Sequence, residues 1–188
     1  MSTNFNTYID NIEFKFWRDL CINEGELKSF DKGEEFVSAG TPGLYIGYVK
    51  EGTLKYVTFS ADGTGHVIGL EFAGEFVADF PFSIYRQKSR VSIIAVTPCE
   101  IYCIATSKVA TLMSEDIRVK DIVMHSTEAV FATVYDRYVN QYTKSPQERY
   151  DELLSRHPDL FALFPLRDIA SFLNITPTHL SRLRKKLP

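Results

Sequence analysis

The chain has 188 residues, of which 45% are hydrophobic, and it carries a formal net charge of −3. This composition is typical of a globular protein with a sizeable core, and no apolar run approaches the roughly 18 residues of a membrane-spanning helix. Cys21, Cys99 and Cys103 are too few and too irregular for a disulfide framework. Because the N-terminus also lacks a secretory signal pattern, we expect reduced, structural thiols in a cytoplasmic protein. The acidic balance does not exclude nucleic acid as a partner, since local charge governs the encounter and basic residues cluster near the C-terminus.

The first predicted element is a helix from Thr7 to Leu20, where apolar side chains recur at helical spacing. From Glu26 to about Ile104 the sequence changes to short runs of β-branched and aromatic residues separated by glycine, proline and aspartate. The clearest predicted strands are Leu44–Val49, Thr53–Phe59, Gly65–Phe72, Val91–Val96 and Glu100–Ile104. Asp62-Gly63 indicates a hairpin between the second and third of these. Many short strands with frequent turns predict an antiparallel roll or barrel, and with the flanking helices an α+β protein.

A long helical pattern follows Ser107 and continues to about Tyr142. Along it, side chains recur at alternating steps of three and four residues, a period close to 3.5 that is typical of a two-stranded seam. The predicted seam consists of Val119, Ile122, Val123, Ser126, Val130, Thr133, Val134, Arg137 and Gln141. A single helix that lies on the β roll would also need an apolar stripe, so the pattern leaves both interpretations open.

Two helical periods joined by a very short break end the sequence. Ser145 is the predicted cap of a preceding helix from Pro146 to about Ser155. The two apolar faces that follow consist of Leu166, Ile169, Ala170 and Leu173, and then of Leu180, Leu183 and Leu187. Asn174 between them tolerates a left-handed backbone, while Thr176 and Pro177 are typical of an N-cap and a first helical position. This layout predicts a helix-turn-helix.

The polar face of the last helix is basic and has no acidic side chain. It presents Thr178, His179, Ser181, Arg182, Arg184, Lys185 and Lys186. Such a face suits phosphates and base edges, although a solvated basic end of an ordinary helical hairpin would look similar. The turn chemistry and the one-sided charge together favour DNA.

The order of roll, long helix and helix-turn-helix resembles the Crp/Fnr family of bacterial transcription regulators over nearly the whole chain. The motifs that carry the resemblance are Asp31-Lys32-Gly33-Glu34, Tyr45-Ile46, Lys50-Glu51-Gly52, Gly74-Glu75-Phe76 and Ser145-Pro146-Gln147-Glu148-Arg149-Tyr150. The stretch from Pro165 to Arg182 looks especially like members from Bacteroidetes-type bacteria. The resemblance implies a cyclic-nucleotide-binding-like jelly roll as sensor domain over residues 1–112, a dimerisation helix over 113–143 and a DNA-binding domain over 144–188.

By the same resemblance, a homodimer would present two recognition helices to a palindromic site, with RNA polymerase as a further partner. Arg182 sits where the family commonly has an arginine that reads guanine, and a guanidinium can hold guanine O6 and N7 together. The other implied DNA contacts are Thr176, Pro177, Thr178, His179, Ser181, Arg184 and Lys185. Because the sequence ends at Pro188, we expect no β wing after this helix and a DNA affinity that depends on the remaining basic residues.

The resemblance is weaker at the effector pocket. Cyclic-nucleotide-binding members hold the sugar phosphate with a Gly-Glu pair and an Arg-Ser pair, and the corresponding positions here are Ala78-Asp79 and Ser89-Arg90. A displacement of one residue in a strand turns a side chain to the opposite face, so we expect Arg90 to point away from the pocket. Thr133 falls near the helix position that contacts the base in such members. The implied pocket therefore contains Asp79, Ser89, Arg90 and Thr133, with an unidentified small-molecule effector; a rebuilt phosphate site for cyclic AMP is the alternative.

Other functional classes find little support in the sequence. An iron–sulfur sensor needs about four clustered cysteines, and a metal-dependent cupin needs several histidines in its barrel, whereas the β region contains only His66. Walker-type loops, nucleophile elbows and His-Glu-x-x-His motifs are absent from the sequence. We therefore expect neither catalysis nor a bound metal or cofactor. A sensor that acts only through protein partners remains the other non-enzymatic reading, and the basic face near Arg182 argues against it.

Overall fold

The computed structural model describes residues 5–185, so Lys186 and Leu187 of the predicted last helix lie outside the described residues. A 3₁₀ turn at Thr7–Asp10 and helix α1 at Glu13–Glu24 precede the β region. The strands are β1 Glu26–Phe30, β2 Glu35–Val37, β3 Tyr45–Glu51, β4 Leu54–Phe59, β5 Gly65–Glu71, β6 Phe76–Val77, β7 Ser92–Ala95 and β8 Cys99–Ala105. The helices that follow are α2 Thr106–Glu115, α3 Ile117–Thr143, α4 Pro146–Arg156, α5 Leu160–Leu163, α6 Leu166–Phe172 and α7 Pro177–Arg184.

The eight strands form two antiparallel four-stranded sheets, ordered β1-β8-β3-β6 and β2-β7-β4-β5. Alternate side chains of both sheets point inward and form a core that includes Val49, Leu54, Val77, Ile93 and Ile101. The buried cysteines Cys99 and Cys103 belong to this core, and Cys21 is buried on the inner face of α1. The predicted antiparallel roll is confirmed.

The five predicted strands correspond to β3, β4, β5, β7 and β8, and the hairpin at Gly63 joins β4 to β5 with a φ of +83°. The sequence pattern did not predict strands β1, β2 and β6. β1 is a mainly exposed edge strand, β2 has three residues and β6 has two. Runs this short or this polar carry almost no periodic signal.

Two predicted helices are interrupted. The helix predicted from Thr7 gives way to a 3₁₀ turn and then α1, because the Asn11 side chain accepts a hydrogen bond from the Glu13 N–H at 2.9 Å and starts a new helix. The long helix predicted after Ser107 divides at Asp116, whose carboxylate caps α3 by accepting from the Arg118 N–H. Aspartate and asparagine favour such caps over helix interiors.

The C-terminal helices follow the predicted local chemistry closely. Ser145 and Glu148 form a reciprocal capping box at the start of α4. Asn174 adopts a φ of +54° in the turn between α6 and α7, and the Thr176 hydroxyl accepts from the His179 N–H at 3.2 Å. Ile169 and Ala170 on α6 pack against Leu180 on α7 in a shared buried cluster. Within residues 5–185, no helix has both the length and the apolar character to cross a bilayer.

Helices α4–α7 also pack on the β4–β5 face of the roll. The Lys55 ammonium on β4 lies 2.7 Å from the Asp168 carboxylate on α6, and the two side chains are only 15% and 7% exposed. The Val67 N–H on β5 donates to the Ser171 hydroxyl at 2.9 Å. Phe72 stacks on His157 with ring centroids 3.6 Å apart. Apolar burial, a hydrogen bond and a buried ion pair therefore hold the last helices against the roll.

Candidate functional site

A cavity of about 390 Å³ opens between the β roll and α3. Its walls come from the 3₁₀ turn and α1 on one side, from β3 to β6 on another, and from α3 on the third. Seven of the lining side chains are aromatic, including Tyr8, Trp17, Tyr56 and Phe76. The volume lies within the range of pockets that bind small molecules.

The hydroxyl groups in this wall are already hydrogen-bonded within the chain. The Tyr8 hydroxyl donates to Glu71, and the Tyr56 hydroxyl both accepts from the Ala78 N–H and donates to the Ala78 carbonyl. Ser126 accepts from the Trp17 indole N–H at 2.8 Å and donates to the Ile122 carbonyl. The wall therefore offers mainly ring faces and aliphatic surface to a ligand.

A buried carboxyl pair, Glu71 and Glu75, lies at the inner end of the cavity. Gly74, with a φ of +88°, closes the turn that returns Glu75 beside Glu71. The Asn6 amide donates to both side chains, at 2.7 and 2.6 Å, and thus ties the N-terminal segment to this turn. Burial raises the pKa of Glu71 well above its ordinary range, and the neighbouring Glu75 raises it further.

Arg137 on α3 supplies the positive charge beside this pair. Its guanidinium donates to the Asn6 side-chain oxygen and to the Phe5 carbonyl, and lies over the Phe5 ring at 4.4 Å. Burial lowers the pKa of Arg137, whereas the charges of Glu71 and Glu75 oppose that shift. The guanidinium also lies 5.7 Å from the Phe172 ring of α6. One side chain thus contacts the N-terminal segment, the cavity and the C-terminal helices.

The structure brings together two of the four predicted pocket residues. Asp79 and Thr133 line the cavity. Ser89 is buried outside the cavity, and its hydroxyl donates to the Val91 carbonyl at 2.7 Å. Arg90 is exposed and lies 5.8 Å from the Phe82 ring, away from the cavity. Of the side chains at the positions that hold the sugar phosphate, Asp79 therefore lines the cavity, whereas Ser89 and Arg90 do not reach it.

Sequence reasoning did not identify Asn6, Glu71 or Glu75 as pocket residues, and it assigned Arg137 only to the seam. Glu75 belongs to a motif that the sequence did single out, Gly74-Glu75-Phe76. Asn6 and Arg137 are 131 residues apart. Their contact therefore leaves no local pattern in the sequence.

The predicted seam on α3 faces largely inward. Val119, Val123, Ser126 and Thr133 are buried within the chain, and Ile122 and Val130 pack against the cluster that contains Trp17. Thr133 also hydrogen-bonds the Thr7 hydroxyl at 3.0 Å. In the single chain, this stripe holds α3 against the roll and α1, as the second interpretation of the pattern expected.

A different stripe of α3 is exposed, and it follows the same period of 3.5 residues. We call it the aromatic stripe; it consists of Ile117, Asp121, Met124, Glu128, Phe131, Tyr135, Tyr138 and Tyr142. Phe131 and Tyr142 are 65% and 76% exposed. Adjacent rings contact each other, with centroids 5.8 Å apart for Phe131 and Tyr135. Large aromatic side chains in a continuous exposed row are unusual on a protein surface and mark an interaction site.

All eight side chains predicted to contact DNA are exposed. They are Thr176, Pro177, Thr178, His179, Ser181, Arg182, Arg184 and Lys185. Leu180 and Leu183 are buried on the opposite side of α7. The Arg184 guanidinium lies 4.1 Å from the Phe161 ring centre, so a contact within the chain holds it in place.

Known proteins share parts of this architecture. Residues 27–116 match the family of the cyclic nucleotide-binding domain. No curated protein matches the chain as a sequence relative. FixK2 from Bradyrhizobium japonicum superposes with a TM-score of 0.75 at 18% identity, covering 87% of this chain and 84% of FixK2.

Two further solved structures share the fold. A chain described as a transcriptional regulator of the Crp/Fnr family from Eubacterium rectale has a TM-score of 0.71 at 17% identity, covering 93% of this chain and 87% of that one. The c-di-GMP responsive global regulator CLP from Xanthomonas campestris has a TM-score of 0.65 at 16% identity, with 92% and 91% coverage. Residues 27–116 are therefore similar to the cyclic nucleotide-binding domain family, and the chain as a whole shares its fold with solved structures of Crp/Fnr family transcription regulators.

Proposed function

We propose that this protein is a homodimeric, sequence-specific DNA-binding transcription regulator with an effector pocket between its β roll and α3. The observation that carries the proposal is the division of α7 into a buried apolar face and an exposed face that is polar and basic apart from Pro177. On this proposal, α6 and α7 form a helix-turn-helix and α7 enters the major groove. The domain division at residues 112 and 143 belongs to the same proposal.

Within α7, the exposed cations take different roles. Arg182 is exposed, and on this proposal its guanidinium reads a guanine through two hydrogen bonds. Lys185 lies at the C-cap, and its flexible ammonium suits a phosphate. Arg184 is stacked on Phe161, so its contribution is a charge at a fixed position.

The roles of Arg182 and Lys185 predict two distinct mutational signatures. Arg182→Ala is expected to cost about 1–3 kcal/mol of discrimination at one base pair, because the guanine loses both hydrogen bonds. Lys185→Ala is expected to weaken binding to all sequences alike. It is also expected to reduce the slope of log affinity against log salt concentration by about one. Fluorescence anisotropy against a duplex and its single-base variants measures both. The same uniform loss in both variants would contradict the role of Arg182.

The aromatic stripe supports the homodimer. Its period of 3.5 residues matches a partner helix that runs along α3, because only a helix of comparable length can contact every position of such a row. α3 has 27 residues, whereas the other described helices have 12 or fewer. A second copy of α3 fits this requirement. The seam of the proposed dimer is therefore the aromatic stripe and not the inward-facing residues such as Val123.

Disrupting the aromatic stripe is expected to yield a monomer. The double variant Phe131→Glu, Tyr135→Glu would replace two adjacent rings of each copy by carboxylates, in addition to Asp121 and Glu128 that the stripe already contains. It removes the apolar contact and doubles the negative charge of the two-fold seam, and a charge removed from water without a partner is strongly unfavourable. Thr143→Glu adds a charge at an exposed position of the same helix outside the stripe and serves as the control. Sedimentation equilibrium measures the mass. A double variant that stays dimeric, like the control, would place the dimer interface elsewhere.

A further inference from the structure

The chemical class of the effector can be inferred from the charges that face the cavity, and the inference rests on the proposed regulator function. Among residues 5–185, Arg137 is the only cation in the cavity wall. Its guanidinium is already engaged by Asn6 and Phe5 and lies beside the Glu71–Glu75 pair. Neither Ser89 nor Arg90 lines the cavity. An anionic ligand would therefore enter a site with no uncommitted positive charge.

The wall favours rings instead. Tyr8, Phe14, Trp17, Tyr56 and Phe76 meet in one apolar surface, and the tyrosine hydroxyls are committed to other groups. The face of an aromatic ring attracts the edges of other rings, and it also attracts cations. Each interaction is modest in energy and becomes stronger when water is excluded. This surface selects a flat apolar ligand, and it tolerates a positive charge.

Asp79 provides the polar contact. It lines the cavity, and its Oδ2 atom is buried without a hydrogen-bond partner among the described residues. A buried carboxylate oxygen that lacks a donor is costly, so a ligand that brings a donor to Asp79 recovers that cost. An ammonium is the strongest such donor, because both partners are then charged.

We propose that the cavity binds an aromatic amine, with the ring against the aromatic wall and the protonated nitrogen on Asp79, and that it rejects cyclic nucleotides and other anions. Val134 and Tyr138 line the cavity and are exposed on α3, and Tyr138 also belongs to the aromatic stripe. The cavity mouth therefore lies beside the proposed dimer seam, which connects occupancy of the cavity with the arrangement of the two copies.

A matched series of indoles tests the charge preference. Tryptamine is cationic, tryptophol is neutral and indole-3-acetate is anionic, while the ring stays the same. Isothermal titration of the full-length protein, without DNA, is expected to show tryptamine binding roughly 10-fold or more tighter than tryptophol, with indole-3-acetate and cyclic AMP weaker still. Asp79→Asn is expected to reduce the affinity for tryptamine to that for tryptophol.

Asp136→Asn removes an exposed carboxylate of α3 outside the cavity and is expected to leave all affinities unchanged. Binding of indole-3-acetate or cyclic AMP as tight as that of tryptamine would overturn the proposal. So would an unchanged charge preference in Asp79→Asn, or no binding of any indole at millimolar concentration. The charge series in the unmodified protein decides the matter even if Asp79→Asn folds poorly. Because DNA is absent, failure of the regulator function would appear separately, in the anisotropy experiment.

Discussion

Replacement of Arg137 by methionine is expected to lower the free energy of unfolding by about 2 kcal/mol, within the range for leaving buried polar groups without their hydrogen-bond donor. The guanidinium is the cation beside Glu71 and Glu75, and it donates to Asn6 and Phe5. Methionine keeps much of the apolar volume but leaves the negative charge of the pair, and the Asn6 oxygen, without their partner.

Urea unfolding at fixed protein concentration measures this loss. Arg118→Met is the matched control, since Arg118 lies on the same helix and pairs with Asp116 while its side chain is 84% exposed. We expect no measurable change in that variant, because exposed pairs contribute little. Adding Glu75→Gln to Arg137→Met is expected to restore part of the stability, since the unpaired charge is removed. An Arg137→Met variant as stable as the control would show that the buried cluster does not depend on this cation.

Breaking the contact between the roll and α6 is expected to have a similar cost. Within the described part of the chain, Lys55→Met leaves the Asp168 carboxylate, which is 7% exposed, with a neighbouring Arg167 nitrogen at 3.6 Å as its remaining cationic contact. The expected loss is about 3 kcal/mol, because one charge of a buried pair remains without its partner. The loss should weaken the attachment of α6 and α7 to β4 and β5 in particular.

Lys50→Met provides a control of nearly identical geometry. Lys50 lies 2.6 Å from Glu100, but both side chains are exposed, at 44% and 38%. Urea unfolding is expected to separate the two variants, and amide hydrogen exchange is expected to show faster exchange in α6 for Lys55→Met only. Equal stability of the two variants would mean that burial does not strengthen the Lys55–Asp168 pair.

The parts of the structure that depend on local chemistry were predictable from the sequence. The positive φ of Asn174, the Thr176 cap and the Ser145 capping box each follow from a few adjacent residues. Which face of α3 is buried could not be predicted from the sequence, because two stripes of the helix share the same period. Val119, Val123, Ser126 and Thr133 form one, and the aromatic stripe forms the other. Only the packing of α1 and the roll determines which stripe is buried.

The candidate pocket shows a similar limit. Asp79 was found through its place beside a short motif, but the polar cluster joins Asn6 to Glu71 and Glu75, and to Arg137 far along the chain. Such contacts are set by the docking of the N-terminal segment between the roll and α3. The transposed Ser89-Arg90 pair did indicate that the phosphate site differs from that of cyclic-nucleotide-binding members. The aromatic lining of the cavity could not be predicted, because its side chains come from segments that are far apart in the sequence.

On the proposed function, two copies of this chain read a palindromic DNA sequence through α7. Anisotropy titration of the full-length protein, with and without tryptamine and cyclic AMP, against a duplex selected from a random library measures this most directly. We expect the palindromic duplex to bind one dimer at least 1,000-fold tighter than random DNA does at moderate salt, within the usual range of roughly 10³–10⁷ for specific regulators. Equal affinity for the selected and random duplexes under every condition would contradict it.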